Sequence, residues 1–172
     1  PLRIAGSFYD DPGYIGAVAA CVRAHWAEHG RPERLLFSFH GLPAYTRERG
    51  DPYHDQCQET GRLLAAALEL QPDDWQVCFQ SRFGPAKWLE PYTSVTLEAL
   101  GARGVERVDV FCPGFVADCL ETLEEIALEG RDSFLSAGGR HYHALPCLND
   151  RPDWIAALAA RVRRELAADS GS

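Results

Sequence analysis

VERVDVFCPGFVADCLETLEEI, Val105 to Ile126, reads as a strand running into a helix. Residues 105–113 are largely apolar on both sides, as expected of a strand covered on two faces. Pro113 and Gly114 break that run. Residues 119–130 then carry a helical pattern, with Asp118 placed to cap it and Glu121 and Glu124 suited to its positive N-terminal end. Capping does not account for Glu125 and Glu129. At the α-helical pitch a step of four drifts by only about 40°, so Glu121, Glu125 and Glu129 form a ladder up one face. Like charges so placed repel by about 0.2–0.5 kcal/mol per pair. A solvated acidic face is the plain reading of that ladder.

The same alternation extends outward from this unit. Residues 2–8 (LRIAGSF), 34–39 (RLLFSF) and 75–80 (WQVCFQ) read as three further strands. Helices are expected over 11–30, 55–70, 91–104, 119–130 and 153–166. The first opens on Asp-Pro and closes on a glycine, and has an apolar stripe at 15, 18, 19, 22 and 26. Strands alternating with helices imply an α/β fold, a four-stranded parallel doubly wound sheet with flanking helices and right-handed crossovers. One domain over 1–166 is expected, with 167–172 a disordered tail.

The chain has 172 residues, 46% of them hydrophobic and 24% charged, the profile of a soluble globular domain. A net charge of −8 argues against a nucleic-acid partner and weakly against binding anionic lipid by bulk charge. No apolar run reaches the roughly 18–20 residues of a membrane helix, and no signal-peptide layout is present. The chain contains no methionine, so it reads as a piece of a longer protein. Its six cysteines, at 21, 57, 78, 112, 119 and 147, form no C-x-x-C pair. That spacing signals neither a zinc site nor an iron–sulfur site, and a reducing cytoplasm is expected.

Ligands of doubly wound sheets bind outside the carboxyl ends of the strands. His40 sits at such an end, in SFHGLP; a hydrogen-bonded loop histidine is its plain reading. After the next strand, QSRFGPAKWLEPYT (80–93) places Arg82 among Phe83, Trp88 and Tyr92. That loop suits a flat anionic ligand by stacking and ion pairing, or simple packing on its own helix. The glutamate ladder follows the third of these ends. Imidazole and carboxylate together suit a divalent first-row metal or proton transfer.

Taken together, these segments resemble the ferrochelatase family. FSFHGLP is similar to the family's S-x-H-[SG]-[LI]-P stretch. FQSRFGPAKWLEPYT is similar to its Q-S-[RK]-x-G-x-x-x-W-L-x-P segment, and CPGFVADCLETLEEI to its P-x-x-F-x-[SA]-D-x-x-E-T-L segment. The resemblance spans residues 8–166 and implies a chelatase-type, Rossmann-like sheet that serves insertion of ferrous iron into a porphyrin. His40 and Glu121 match the family's catalytic, metal-handling pair. Glu125 and Glu129 match a proton or metal relay, and Trp88, with Phe83 and Arg82 of the same segment, the porphyrin pocket. Cys119 departs from the histidine that many members carry.

The resemblance further implies no tightly bound cofactor and no [2Fe–2S] cluster, with Fe2+ as substrate. The implied partners are porphyrin (protoporphyrin IX first), ferrous iron and an N-terminal domain absent from this chain, with a peripheral membrane contact at the inner face. This chain would be the C-terminal half, inactive alone. A non-catalytic metal- or haem-binding domain is the alternative.

Overall fold

The computed structural model describes residues 4–167. Its centre is a four-stranded parallel sheet in the order β2-β1-β3-β4, formed by β1 (Arg34–His40), β2 (Trp75–Gln80), β3 (Arg107–Phe111) and β4 (His141–Ala144). Helices cover both faces, so strand residues alternate between two cores. Leu35, Phe37 and Phe39 of β1 face one core with α1 (Pro12–His29), α3 (Tyr53–Ala67) and α6 (Pro152–Ala167). Leu36 faces the other core, with α4 (Thr93–Ala102), a π-helix over Glu121–Gly130 and α5 (Arg131–Ser136). A short α2 (Tyr45–Glu48) lies between β1 and α3. The doubly wound parallel sheet expected from the sequence is present.

Local chemistry sets the principal helix starts. Asp11 has extended backbone, and its Oδ1 accepts from the amides of Gly13 and Tyr14 at 2.9 and 3.2 Å, while Pro12 opens α1. Asp11 Oδ2 takes Arg164 of α6 at 2.5 Å, so the cap also joins two helices. Gly30 ends α1 at φ +80°.

Three expectations are corrected. Residues 4–8 of the expected first strand are irregular, and residues 2–3 lie outside the described residues. Both sides of β1 are already taken by β2 and β3, and Phe8 instead packs on Tyr14 and Trp154, centroids 5.4 and 5.9 Å away. The fourth strand is β4, whose sequence HYHA has no apolar run. It is a short edge strand, with Tyr142 and Ala144 against the core. The segment after β3 is a π-helix where an α-helix was expected, with α5 continuing from it. Residue 167 ends α6 rather than starting a tail, and the rest of the expected tail, 168–172, lies outside the described residues.

β1 is followed by β2 on one side, and β3 and β4 lie on the other. The crevice between the ends of β1 and β3 is therefore the switch point where such sheets bind ligands. Among the described residues no helix is long and apolar enough to cross a membrane.

Two glycines with opposite surroundings test this packing. A Cβ at Gly61 of α3 would lie 2.5 Å from Val77 Cγ2 and 3.0 Å from the Trp75 ring. Gly61→Ala should lower the unfolding free energy by about 1–3 kcal/mol through overpacking. Gly16, exposed within α1, has nothing within 4 Å of that position. Gly16→Ala should raise stability by about 0.5–1 kcal/mol. Urea unfolding of the two variants measures both.

Candidate active site

β1 ends on His40, which pairs in register with Gln80, the last residue of β2. The His40 ring sits against a carbonyl: Nδ1 is 2.7 Å from Gly41 O. A carbonyl only accepts, so Nδ1 is the donor, and in the neutral ring Nε2 is the nitrogen that carries the lone pair. The His40 carbonyl accepts from the Tyr53 hydroxyl at 2.9 Å, which holds the strand end from below. Burial pushes the Tyr53 phenol well up, so it remains a neutral donor. Gly41 sits where little room exists: a Cβ there would be 2.9 Å from Gln80 O and 3.2 Å from the Trp88 ring.

Gln80 is 4% exposed and joins three segments. Its Oε1 accepts from Ser38 Oγ of β1 at 2.7 Å and from the Cys112 thiol after β3 at 3.5 Å. Its Nε2 donates to Glu121 O at 2.8 Å and so fixes the first turn of the π-helix beside the strand ends. Ser81 follows at φ +63°, a conformation unusual for a serine. Its amide and hydroxyl both donate to the Glu125 carboxylate, at 2.6 and 2.5 Å. The Tyr142 hydroxyl donates to Ile126 O at 2.6 Å. The π-helix is thus braced from outside at three points.

The acidic residues now separate in role. The Glu121 carboxyl is held below the usual glutamate range, first by a hydrogen bond from the Cys119 side chain, then by its own amide and the nearby His40. Glu125 is clamped by Ser81. Glu129 is exposed on its helix yet lines, with Glu125, Thr93, Ser94 and Ser133, a cavity of about 120 Å³. Glu124 is exposed. Asp118 does not cap the helix amides, contrary to expectation. Its carboxylate accepts from Thr122 Oγ1 (3.2 Å), Cys147 N (3.2 Å) and Asn149 Nδ2 (2.7 Å), tying the π-helix to the loop before α6. Burial alone would raise the Asp118 carboxyl; the hydrogen bonds from Asn149, Cys147 and Thr122 outweigh it and hold the carboxyl low.

The aromatic loop after β2 is only partly drawn in. Trp88 packs on the His40–Gly41 turn, and its indole N–H donates to Phe83 O at 2.9 Å. Phe83 is 85% exposed, and Arg82 stacks on Tyr92 with its guanidinium 4.6 Å from the ring centre. Sequence reasoning missed a hollow of about 220 Å³ lined by Phe8, Tyr14, Phe39, Tyr53, Pro113 and Gly114. It opens at the switch point and brings residues from four separate segments together. The sequence carried one signal for it, the Pro-Gly break after β3.

Two substitutions test this geometry. Cys119→Ala should raise the Glu121 carboxyl toward its ordinary value of 4.5, and Cys119→Ser should not, because the hydroxyl still donates. A carboxyl-carbon NMR titration reads both. Gln80→Leu removes the buried side-chain donor to the Glu121 carbonyl and leaves the Ser38 hydroxyl with Thr93 alone. It should cost about 2–3 kcal/mol in chemical denaturation.

The ferrochelatase family model matches residues 1–166. The chain is 68% identical over 164 residues to the ferrochelatase of Azoarcus sp. (strain BH72), covering 95% of this chain and 45% of that relative. It is 60% identical over 165 residues to the ferrochelatase of Aromatoleum aromaticum, covering 96% of this chain and 45% of the relative. The corresponding figure for Chromobacterium violaceum is 59% over 166 residues, 96% of this chain and 46% of the relative. The chain therefore spans less than half the length of the curated relatives it matches. A doubly wound sheet with a histidine and a braced glutamate helix at its switch point, matched by this family over nearly its whole length, belongs to the ferrochelatase family.

Proposed function

We propose that this chain supplies the metal- and proton-handling half of an enzyme that inserts Fe2+ into a porphyrin, with protoporphyrin IX the preferred substrate, late in haem biosynthesis. One observation carries the reading. An imidazole whose Nδ1 is held by a backbone carbonyl, leaving Nε2 as the outward nitrogen, stands with a carboxylate kept anionic at the switch point of a family member.

A free porphyrin holds two inner N–H protons that leave as iron enters; the electron pairs of those bonds stay on the nitrogens and bind the metal. His40 Nε2 and the Glu121 carboxylate hold the incoming Fe2+. Two protein ligands leave coordination positions open, so the ion passes on to the macrocycle. Glu125 and Glu129 take the protons outward along the small cavity that both line, with Ser81 fixing Glu125 as the first station. Trp88 walls the ring beside His40, Phe83 stacks on it from its exposed position, and Arg82 meets a porphyrin carboxylate. The opposite wall of the cleft belongs to an N-terminal domain, in keeping with the share of the relatives left unmatched. The reaction is cytoplasmic, with contact at the inner face of the membrane.

An anaerobic ferrous-iron insertion assay, followed by porphyrin absorbance, tests this in the protein that joins this chain to its N-terminal domain. His40→Ala and Glu121→Ala should each lower turnover by at least about 100-fold. Glu125→Ala should lower it less and leave porphyrin binding intact. Binding of porphyrin without any metallation by the unaltered two-domain protein would overturn the catalytic reading in favour of a porphyrin-binding module.

A further inference from the structure

A second group of ligating side chains lies toward the other end of the sheet. Asp109 of β3 pairs in register with His143 of β4. Both side chains face α1, since Val108, Val110, Tyr142 and Ala144 fill the opposite core. From α1 come His25 and His29. The rings of His25, His29 and His143 have centroids 4.5–5.1 Å apart, pair by pair.

Asp109 is fully buried, and its two oxygens face different partners. Oδ1 lies 3.2 Å from His143 Nδ1 and 3.4 Å from the Arg107 guanidinium. Oδ2 accepts from Trp26 Nε1 at 3.1 Å and faces His25 Nε2 at 3.7 Å. That last separation is too long for a hydrogen bond. His25 Nε2 is buried and finds no hydrogen-bond partner among the described residues. Native interiors seldom leave such an atom without a reason.

The geometry points to a cation. The ligand atoms of His25, Asp109 and His143 all lie within 4.8 Å of one another. Nitrogen and oxygen ligands about 2.0–2.1 Å from a tetrahedral metal stand about 3.3 Å apart. The contacts of 3.2 Å (His143 to Oδ1) and 3.7 Å (His25 to Oδ2) lie on either side of that edge, one to each oxygen of the Asp109 carboxylate. We propose that His25, Asp109 and His143 form a binding site for a divalent first-row transition ion, Zn2+ or Fe2+ in type, separate from the His40 site.

Imidazole and carboxylate are the donors such ions take. Asp109 pairs with Leu35, five residues before His40 on β1, which puts the two sites about 17 Å apart. The His143 side chain is 33% exposed, so an ion reaches the cluster from solvent. His29 stacks on His143 at 26° and orients it. Arg107 does not fill the site, because its guanidinium also donates to His29 O and Gly30 O at the end of α1. The bound ion would staple α1 to β4, an edge strand with β3 as its one strand neighbour.

The test uses the protein carrying His40→Ala and Glu121→Ala, which removes the first site from the count. Zn2+ titration by calorimetry should give one equivalent, and Co2+ should give visible absorption of tetrahedral intensity. Adding His25→Ala or His143→Ala should raise the dissociation constant by at least about 100-fold. Either should also abolish the rise in Tm with Zn2+. Circular dichroism of the metal-free variants checks folding, and the partly exposed His143 keeps the test open should His25→Ala fail to fold. No binding in the double-variant background, or binding that survives both added substitutions, overturns the proposal. The cluster would then be a network neutralising Asp109 alone.

Discussion

The side-chain amide of Gln80 holds the strand ends in a common frame. A parallel sheet covered on both faces has no water near its interior polar groups, so each must be satisfied by the protein. Gln80 answers two demands with one planar group. Its oxygen accepts from Ser38, itself bonded to Thr93 of α4 at 2.8 Å, and its nitrogen donates to the Glu121 carbonyl. The distance from β1 to the first turn of the π-helix is thereby set by a rigid amide. His40 and Glu121 keep their relative placement because each is anchored beside that group, one by strand pairing and one by its backbone carbonyl.

The π-helix is the most demanding element of the fold. Its wider turn gives poorer hydrogen bonding than an α-helix, and such segments persist where their surroundings over-determine them. Here Gln80, Ser81 and Tyr142 supply that bracing from three directions. One of these contacts also reaches the acidic ladder: Ser81 gives the Glu125 carboxylate two donors, while donors from Cys119 and its own amide stabilise the Glu121 carboxylate. Structural brace and site electrostatics meet at Ser81.

β3 carries polar chemistry at two levels. Its C-terminal end opens into the switch point at Pro113, and its middle buries Asp109 against α1. A charge buried mid-strand is costly unless its neighbours compensate it. Trp26, Arg107 and His143 do so, which links α1, β3 and β4 by polar contacts as well as by the apolar core.

The α/β class, five helices and three of the four strands were legible in the sequence, because apolar periodicity reports how many faces of an element are buried. β4 was not. In HYHA two histidines alternate with a tyrosine and an alanine, and nothing local distinguishes an edge strand from a loop. Residues 4–8 failed for the opposite reason: the run is apolar enough for a strand, but Phe8 packs instead against the side chains of Tyr14 and Trp154, contacts that no local pattern announces. His40, Glu121 and Glu125 stood out by residue type and by their places after strands. The roles of Gln80, Tyr53 and Ser81, and the meeting of His25 with Asp109 and His143, were decided by tertiary structure alone. Hydrogen bonds between segments dozens of residues apart leave no periodic trace, so the sequence determined which elements form, and packing decided which polar groups face one another.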